Sequence, residues 1–102
     1  MRIQSRQDEL TQFKTEINLC EYLAANGYAI DRRNSSRRSV AMKHTNGDKL
    51  IVSRSQSKVW IYFNVHGNDN GTIIDFVQRD RITLGEVRKR LRPWLGRPEM
   101  AA

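Results

Sequence analysis

Basic residues crowd two stretches of this chain. Arg32, Arg33, Arg37, Arg38 and Lys43 fall close together in the first half, and Arg79, Arg81, Arg88, Lys89, Arg90 and Arg92 in the last third. A guanidinium presents a planar fork that matches a phosphate through two parallel hydrogen bonds, whereas an ammonium offers a point charge. Between the stretches runs Lys58-Val59-Trp60-Ile61-Tyr62-Phe63. Strand residues alternate faces, so Lys58, Trp60 and Tyr62 share one side and Val59, Ile61 and Phe63 the other. If the second set faces the helices, Trp60 and Tyr62 stand on an open face with Lys58. Aromatic rings flanked by cations there would stack bases while arginines hold phosphates. If the N-terminal helix covers Trp60 and Tyr62, a solvated arginine surface remains. The pattern leaves both arrangements open. The candidate binding residues are therefore Arg32, Arg33, Arg37 and Arg38, with Lys43, Arg54 and Lys58, for phosphate, and Trp60 and Tyr62 for stacking. Asn34-Ser35-Ser36 adds donors beside the arginines, or forms a plain turn.

Other chemistries are poorly served. Cys20 lies in an amphipathic stretch beside Leu19 and Leu23 with no nucleophile motif around it, so it reads as small apolar packing. Acidic residues are scattered singly, and no cluster converges in the manner of a two-metal or paired-carboxylate site. A structural zinc takes four Cys or His ligands in close pairs. Here His44 and His66 stand on separate turns with no cysteine near either, and with Asp48 and Asp69 they read as solvated loop residues. No catalytic residue, metal site or cofactor is expected.

The elements that would position these residues follow from caps and periodicity. Ser5 and Asp8 resemble a helix start ahead of Leu10 and Phe13. Asn18 caps a helix over roughly Leu19 to Asn26, with Glu21 three residues on, Ile17 and Tyr22 at staple positions and Gly27 beyond the end. The period then falls to two. Tyr28-Ala29-Ile30 suggests a short strand, Ser39 to His44 and Lys49 to Arg54 bracket an Asn46-Gly47 hairpin turn, and Lys58 to Phe63 is a third, aromatic-rich strand. Thr72 caps a helix containing Ile73, Phe76 and Val77, and Thr83 with Glu86 opens another through Leu84, Val87 and Leu91 toward Trp94, which Pro93 interrupts near its end. The expected fold is α+β: a small antiparallel sheet of three to four strands flanked by N- and C-terminal helices, with the helices on one side. The domain is expected over residues 1–96, with 97–102 a tail or linker stub.

Composition agrees. At 102 residues, 38% hydrophobic and 28% charged, the chain is globular and large enough for one modest core. A formal net charge of +7, with arginine outnumbering lysine, favours anionic partners. No long apolar run exists for a membrane, the first residues lack a signal-peptide core, and a single cysteine suits the cytoplasm.

Several phrases carry a family likeness: Ile17-Asn18-Leu19 through Gly27-Tyr28, the strand ending at His44, Gly71-Thr72-Ile73-Ile74-Asp75-Phe76-Val77, and Leu91-Arg92-Pro93-Trp94-Leu95. Together they resemble the zinc-ribbon domain at the N-terminus of bacterial and phage-type DNA primases. They look closer still to its zinc-less relative, placed ahead of Toprim-type domains in plasmid and mobile-element primase-like proteins. The family's Cys-x-x-His and Cys-x-x-Cys positions, aligned on Gly71 and Asp75-Phe76, fall on Ala41, His44, Asn64 and Gly67, so only His44 keeps a ligand. The resemblance thus implies a ribbon held by its aromatic core and its Asn-Gly hairpin instead of zinc. It also implies a noncatalytic accessory domain that binds single-stranded DNA and positions it for a Toprim catalytic domain in replication or mobilisation. The alternative expectation is a docking domain for a Toprim, helicase or polymerase partner, with the charge serving solubility.

Overall fold

Five strands in simple meander order, every neighbour antiparallel, organise the chain. The computed structural model describes residues 6–95, so the helix-start signal at Ser5 and the tail from Arg97 lie outside the described residues. Helices α1 (Arg6–Glu16) and α2 (Leu19–Ala25) come first, then β1 (Tyr28–Asp31), β2 (Ser39–His44), β3 (Lys49–Arg54), β4 (Trp60–Asn64) and β5 (Asn70–Gly71), and finally α3 (Ile73–Val77) and α4 (Leu84–Leu91). This is the α+β class expected, with one strand more than the upper expectation. The extra strand is β5, whose two residues pair only with Tyr62 and Phe63 and carry no strand pattern of their own.

Each helix starts at a cap. The Asn18 carboxamide accepts from the amides of Cys20 and Glu21, and Ile17 and Tyr22 on either side are buried as a staple requires. Thr72 and Asp75 form a reciprocal capping box, the Asp75 carboxylate taking the Thr72 amide at 2.7 Å. Gly71 makes that box possible: its φ is +148°, and a Cβ there would fall 2.1 Å from the Asp75 carboxylate. Thr83 accepts from the Glu86 amide to begin α4, which gives way after Leu91 to a single 3₁₀ turn, Arg92–Trp94, containing Pro93.

The core lies between the helices and one face of the sheet. Phe13, Leu19, Leu23, Ile73, Val87 and Leu91 from the helical side meet Met42, Leu50, Val52 and Tyr62 from the strands, all 3% exposed or less. Phe76 joins the layers, setting its ring edge-on to Tyr22, Tyr28 and Tyr62 at 5.8–6.1 Å between centroids. Register decides which strand residues take part. Val52 pairs with both Val40 and Tyr62 on the core face, while Ile51 pairs with Ala41 and Phe63 on the other.

Candidate nucleic-acid interface

This register overturns one of the two arrangements the sequence left open. Tyr62 is buried at 3% exposure against Phe76 of α3, so it cannot stack a base. Trp60 is half-buried against the core, with the Arg54 guanidinium 5.0 Å above its ring. Arg54 donates to the Thr15 carbonyl at the C-terminal end of α1 and to the Lys58 carbonyl, tying the β3–β4 hairpin to the first helix. Trp60 and Tyr62 are thus parts of the packing, and Arg54, though exposed, is engaged by two carbonyls and the Trp60 ring.

The face left open carries the other alternation. Ile61 and Phe63 are 39% and 53% exposed, and Val65 just beyond them is exposed as well. Ile51 sits opposite Phe63, and Lys43 pairs with Lys49 one row further along. β4 is apolar on both faces, so this strand alone leaves the choice of face open. The usable signal lay in β2 and β3, whose polar positions Ser39, Lys43, Lys49 and Ser53 all fall on the Phe63 side.

At one end of that face the topology gathers five of the nine candidates. The β1–β2 connection carries Arg32, Arg33, Arg37 and Arg38, and the β3–β4 turn carries Lys58. The two connections emerge from the same end of the sheet, about two strand spacings or ~10 Å apart. Lys43 stands at the opposite end of the open face, about 13 Å along the strands from the row of Ser39 and Ile61. Lys49 beside it is paired at 3.4 Å with Asp31, whose carboxyl is held below its ordinary range by hydrogen bonds from Asn34 and Lys49.

The 32–38 connection is shaped by its own small polar residues. Ser35 donates its hydroxyl to the Asp31 carbonyl and accepts from the Ala41 amide, and Asn34 donates to Asp31. Ser36 hydrogen-bonds Ser39 through both hydroxyl and backbone. Asn34-Ser35-Ser36 is therefore neither a row of free phosphate donors nor a slack turn, since these side chains spend their bonds building the loop. Ser35 lies over Ala41, which is fully buried although it belongs to the open face. The four arginine side chains are exposed, and among the described residues no carboxylate lies within ion-pairing distance of them. Lys58 adds a strained backbone: its φ is +67° at the hairpin corner, a conformation glycine takes more cheaply.

The second basic stretch behaves differently. Arg88 and Arg92 both grip Glu9 of α1, Arg90 pairs with Asp80 at 2.8 Å, and Arg79 reaches across the fold. The Arg79 guanidinium lies over Phe76, donates to Asp48 at 2.9 Å and to the Tyr28 hydroxyl at 3.3 Å, and stands 3.2 Å from Asp69. The Asp69 contact is a charge pair off the N–H axis, so that buried oxygen has no hydrogen bond. The Asn64 amide donates to both Asp48 and Asp69, and Tyr28 also donates to Asp48. Two turns, at 45–48 and 64–69, are in this way fastened by one guanidinium and one carboxamide. Burial acts to raise Asp48, but hydrogen bonds from Arg79 and Tyr28 outweigh it and hold the carboxyl below its ordinary range. Burial, and then Asp48 as acceptor, push Tyr28 up to about 12.

The metal-ligand positions implied by the family likeness meet this same clamp, since Asn64 is one of its members and the His44 imidazole accepts from the Asn46 amide. Among the described residues no three His, Cys, Asp or Glu side chains converge as metal ligands. Burial, and then the Glu21 charge, push Cys20 up to about 11, so it remains a thiol near neutral pH. No described helix is long and apolar enough to cross a membrane. The chain matches no family model, no curated protein and no solved structure.

Proposed function

We propose that this chain is a noncatalytic domain that binds single-stranded nucleic acid, of the kind that serves a primase-like protein in the cytoplasm. One observation carries the reading: unpaired positive charge is densest at one end of the sheet. In the second basic stretch Arg79, Arg88, Arg90 and Arg92 are neutralised by Glu9, Asp48, Asp69 and Asp80 and only Arg81 is left exposed without an ion pair, whereas Arg32, Arg33, Arg37, Arg38 and Lys58 have no ion-pair partner among the described residues. That end borders an open face on which Phe63 offers a ring, with Lys43 beyond it. A strand laid along β4 would put phosphates on the loop arginines and a base on Phe63. Stacking tolerates any base, so the expected preference is for unpaired strands with little sequence specificity.

Fluorescence anisotropy with a labelled single-stranded oligonucleotide across a salt series tests the proposal. Affinity should fall steeply with salt, and Arg37→Gln with Arg38→Gln should flatten the log–log slope by about 1.4, taking about 0.7 per phosphate contact on single strands. No binding at low salt, or an unchanged slope in the double variant with an intact fold, removes the mechanism.

A second reading has its own support. Ile61, Val65 and Ile51 are aliphatic, and aliphatic groups do not stack bases, so the same stripe suits docking of a protein partner such as a Toprim, helicase or polymerase domain. Under that reading the Arg37/Arg38 double variant keeps partner binding while Phe63→Ala loses it.

A further inference from the structure

At the end of the sheet opposite the arginine loop, a cleft of about 510 Å³ opens between α2, the β2–β3 hairpin and the turn after α3, with Tyr22, His44, Asn46, Phe76, Arg79 and Arg90 in its wall. Its size lies in the ordinary range for small-molecule sites, about 300–1,000 Å³. The hydrogen-bonding inventory of the wall is lopsided. Both oxygens of Asp48 are taken, one by Asn64 and the other by Tyr28 and Arg79. Asn46 spends its carbonyl oxygen on the Asp48 amide, and His44 spends Nδ1 on the Asn46 amide.

What remains is mostly donors. Arg79 uses Nη1 and faces Asp69 through Nε, leaving Nη2. Arg90 uses Nη1 on Asp80, leaving Nη2 and Nε. With Nδ1 accepting, the His44 donor is Nε2–H, and the Asn46 NH₂ group is uncommitted. Against these stand the second oxygen of Asp80, whose side chain is 65% exposed, the carbonyl oxygen of Asn26, and the Tyr22 hydroxyl, which donates as well as accepts. A wall of spare donors, two of them guanidinium edges, suits a ligand that only accepts.

The geometry points to a binding site here for a phosphate monoester of about mononucleotide size, its phosphate on Arg79, Arg90 and His44 and its organic part along Tyr22 and Phe76. A phosphate added to the existing ion pairs does not require displacing Asp48 or Asp80, because each guanidinium carries five N–H donors. The monoester could be a free nucleotide or the terminal phosphate of a strand. The site uses none of the residues in the 32–38 loop, so its failure leaves the nucleic-acid reading untouched, and the reverse holds too.

Amide chemical-shift titration of the full chain tests it, with inorganic phosphate, adenosine monophosphate, adenosine, and a short oligonucleotide with and without a 5′-phosphate as probes. Adenosine monophosphate should give saturable shifts at residues 44–48 and 76–80, and adenosine should not. Arg90→Gln, at an exposed pair, should weaken the monophosphate at least about tenfold, the consequence of losing a charged hydrogen bond. The Arg37/Arg38 double variant should leave it unchanged. Preferential shifts from the phosphorylated oligonucleotide identify a strand terminus as the source, and shifts from the monophosphate alone identify a free nucleotide. Absence of saturable shifts, equal response to adenosine, or abolition by the Arg37/Arg38 double variant instead of Arg90→Gln overturns the site.

Discussion

Replacing Arg79 by Gln should destabilise the fold far more than replacing an exposed arginine such as Arg90, because this guanidinium fastens two turns to each other. The side chain is 31% exposed and its partner Asp48 only 15%, so the pair is partly shielded from water. A hydrogen bond to a charged group in such a place contributes about 1.5–3 kcal/mol. The stack on Phe76 adds about 0.5–1 kcal/mol. Asp48 keeps its bonds from Tyr28 and Asn64 in the variant, so the full penalty of an orphaned charge does not arise. The net loss expected is about 2–3 kcal/mol. For a domain of this size that lowers Tm by about 10–20 °C.

The pH dependence supplies a second readout. Asp48 titrates below its ordinary value in the folded state, so its stabilisation is present above the unfolded carboxyl pKa and is lost as pH falls through the folded one. The stability gap between wild type and Arg79→Gln should therefore be full at pH 7 and shrink below about pH 4. Urea unfolding followed by circular dichroism at several pH values measures both. Arg79→Lys should recover less than half the loss, since an ammonium cannot lie flat on Phe76 while reaching Asp48 and Asp69 together. Arg90→Gln is the control: its pair is 43% and 65% exposed, so solvent screens it and little change in stability is expected. A loss from Arg79→Gln no larger than that of Arg90→Gln, or a gap that persists unchanged at pH 3, would refute the clamp.

Phe63→Ala should weaken single-strand binding by about 1–3 kcal/mol without altering the salt slope, as anisotropy would show, while leaving the melting temperature nearly unchanged because the ring is exposed. Lys58→Gly should raise stability by up to about 1 kcal/mol by relieving a positive φ, yet lower affinity by removing a cation. Arg81→Gly, at φ +58°, should give the same thermal gain with affinity intact, and equal affinity losses from both would detach Lys58 from the interface. Gly71→Ala should cost about 2–4 kcal/mol in chemical denaturation, combining backbone strain with loss of the Asp75 cap, and a neutral result would contradict the 2.1 Å approach.

The local features of the fold were legible because each is set within a few residues. Asn18, Thr72 and Thr83 announce their helices through bonds that span two or three positions. The Asn46-Gly47 turn fixes its hairpin the same way, with Gly47 at φ +95°. β5 was not legible, because Asn70 and Gly71 have no strand preference and become a strand only by lying beside Tyr62 and Phe63. The Arg79 clamp was hidden for a related reason. Its partners lie at positions 48 and 28, and nothing near Arg79 in sequence distinguishes it from Arg81.

The orientation of β4 shows where reading one strand alone fails. Trp60 and Tyr62 are aromatic and Ile61 and Phe63 apolar, so neither side of the strand carries a charge to mark the solvent, and a one-residue change of face exchanges the stacking candidates completely. The neighbouring hairpin breaks the tie. Lys43 faces Lys49 and Ser39 faces Ser53 on one side, while Met42 faces Leu50 and Val40 faces Val52 on the other. Carrying that assignment across the β3–β4 register puts Tyr62 with Val52 in the core and Phe63 with Ile51 outside. The same logic separates the two basic stretches. Arginine count alone made them look equivalent, but Glu9, Asp48, Asp69 and Asp80 are placed by the fold to neutralise Arg79, Arg88, Arg90 and Arg92 of one stretch. The 32–38 loop receives no such carboxylate among the described residues, because Asp31, the nearest one, is engaged by Asn34 and Lys49. The proposed attraction of a polyanion to that end of the sheet thus rests on where the acids are not, which is a property of the fold and invisible in the net charge.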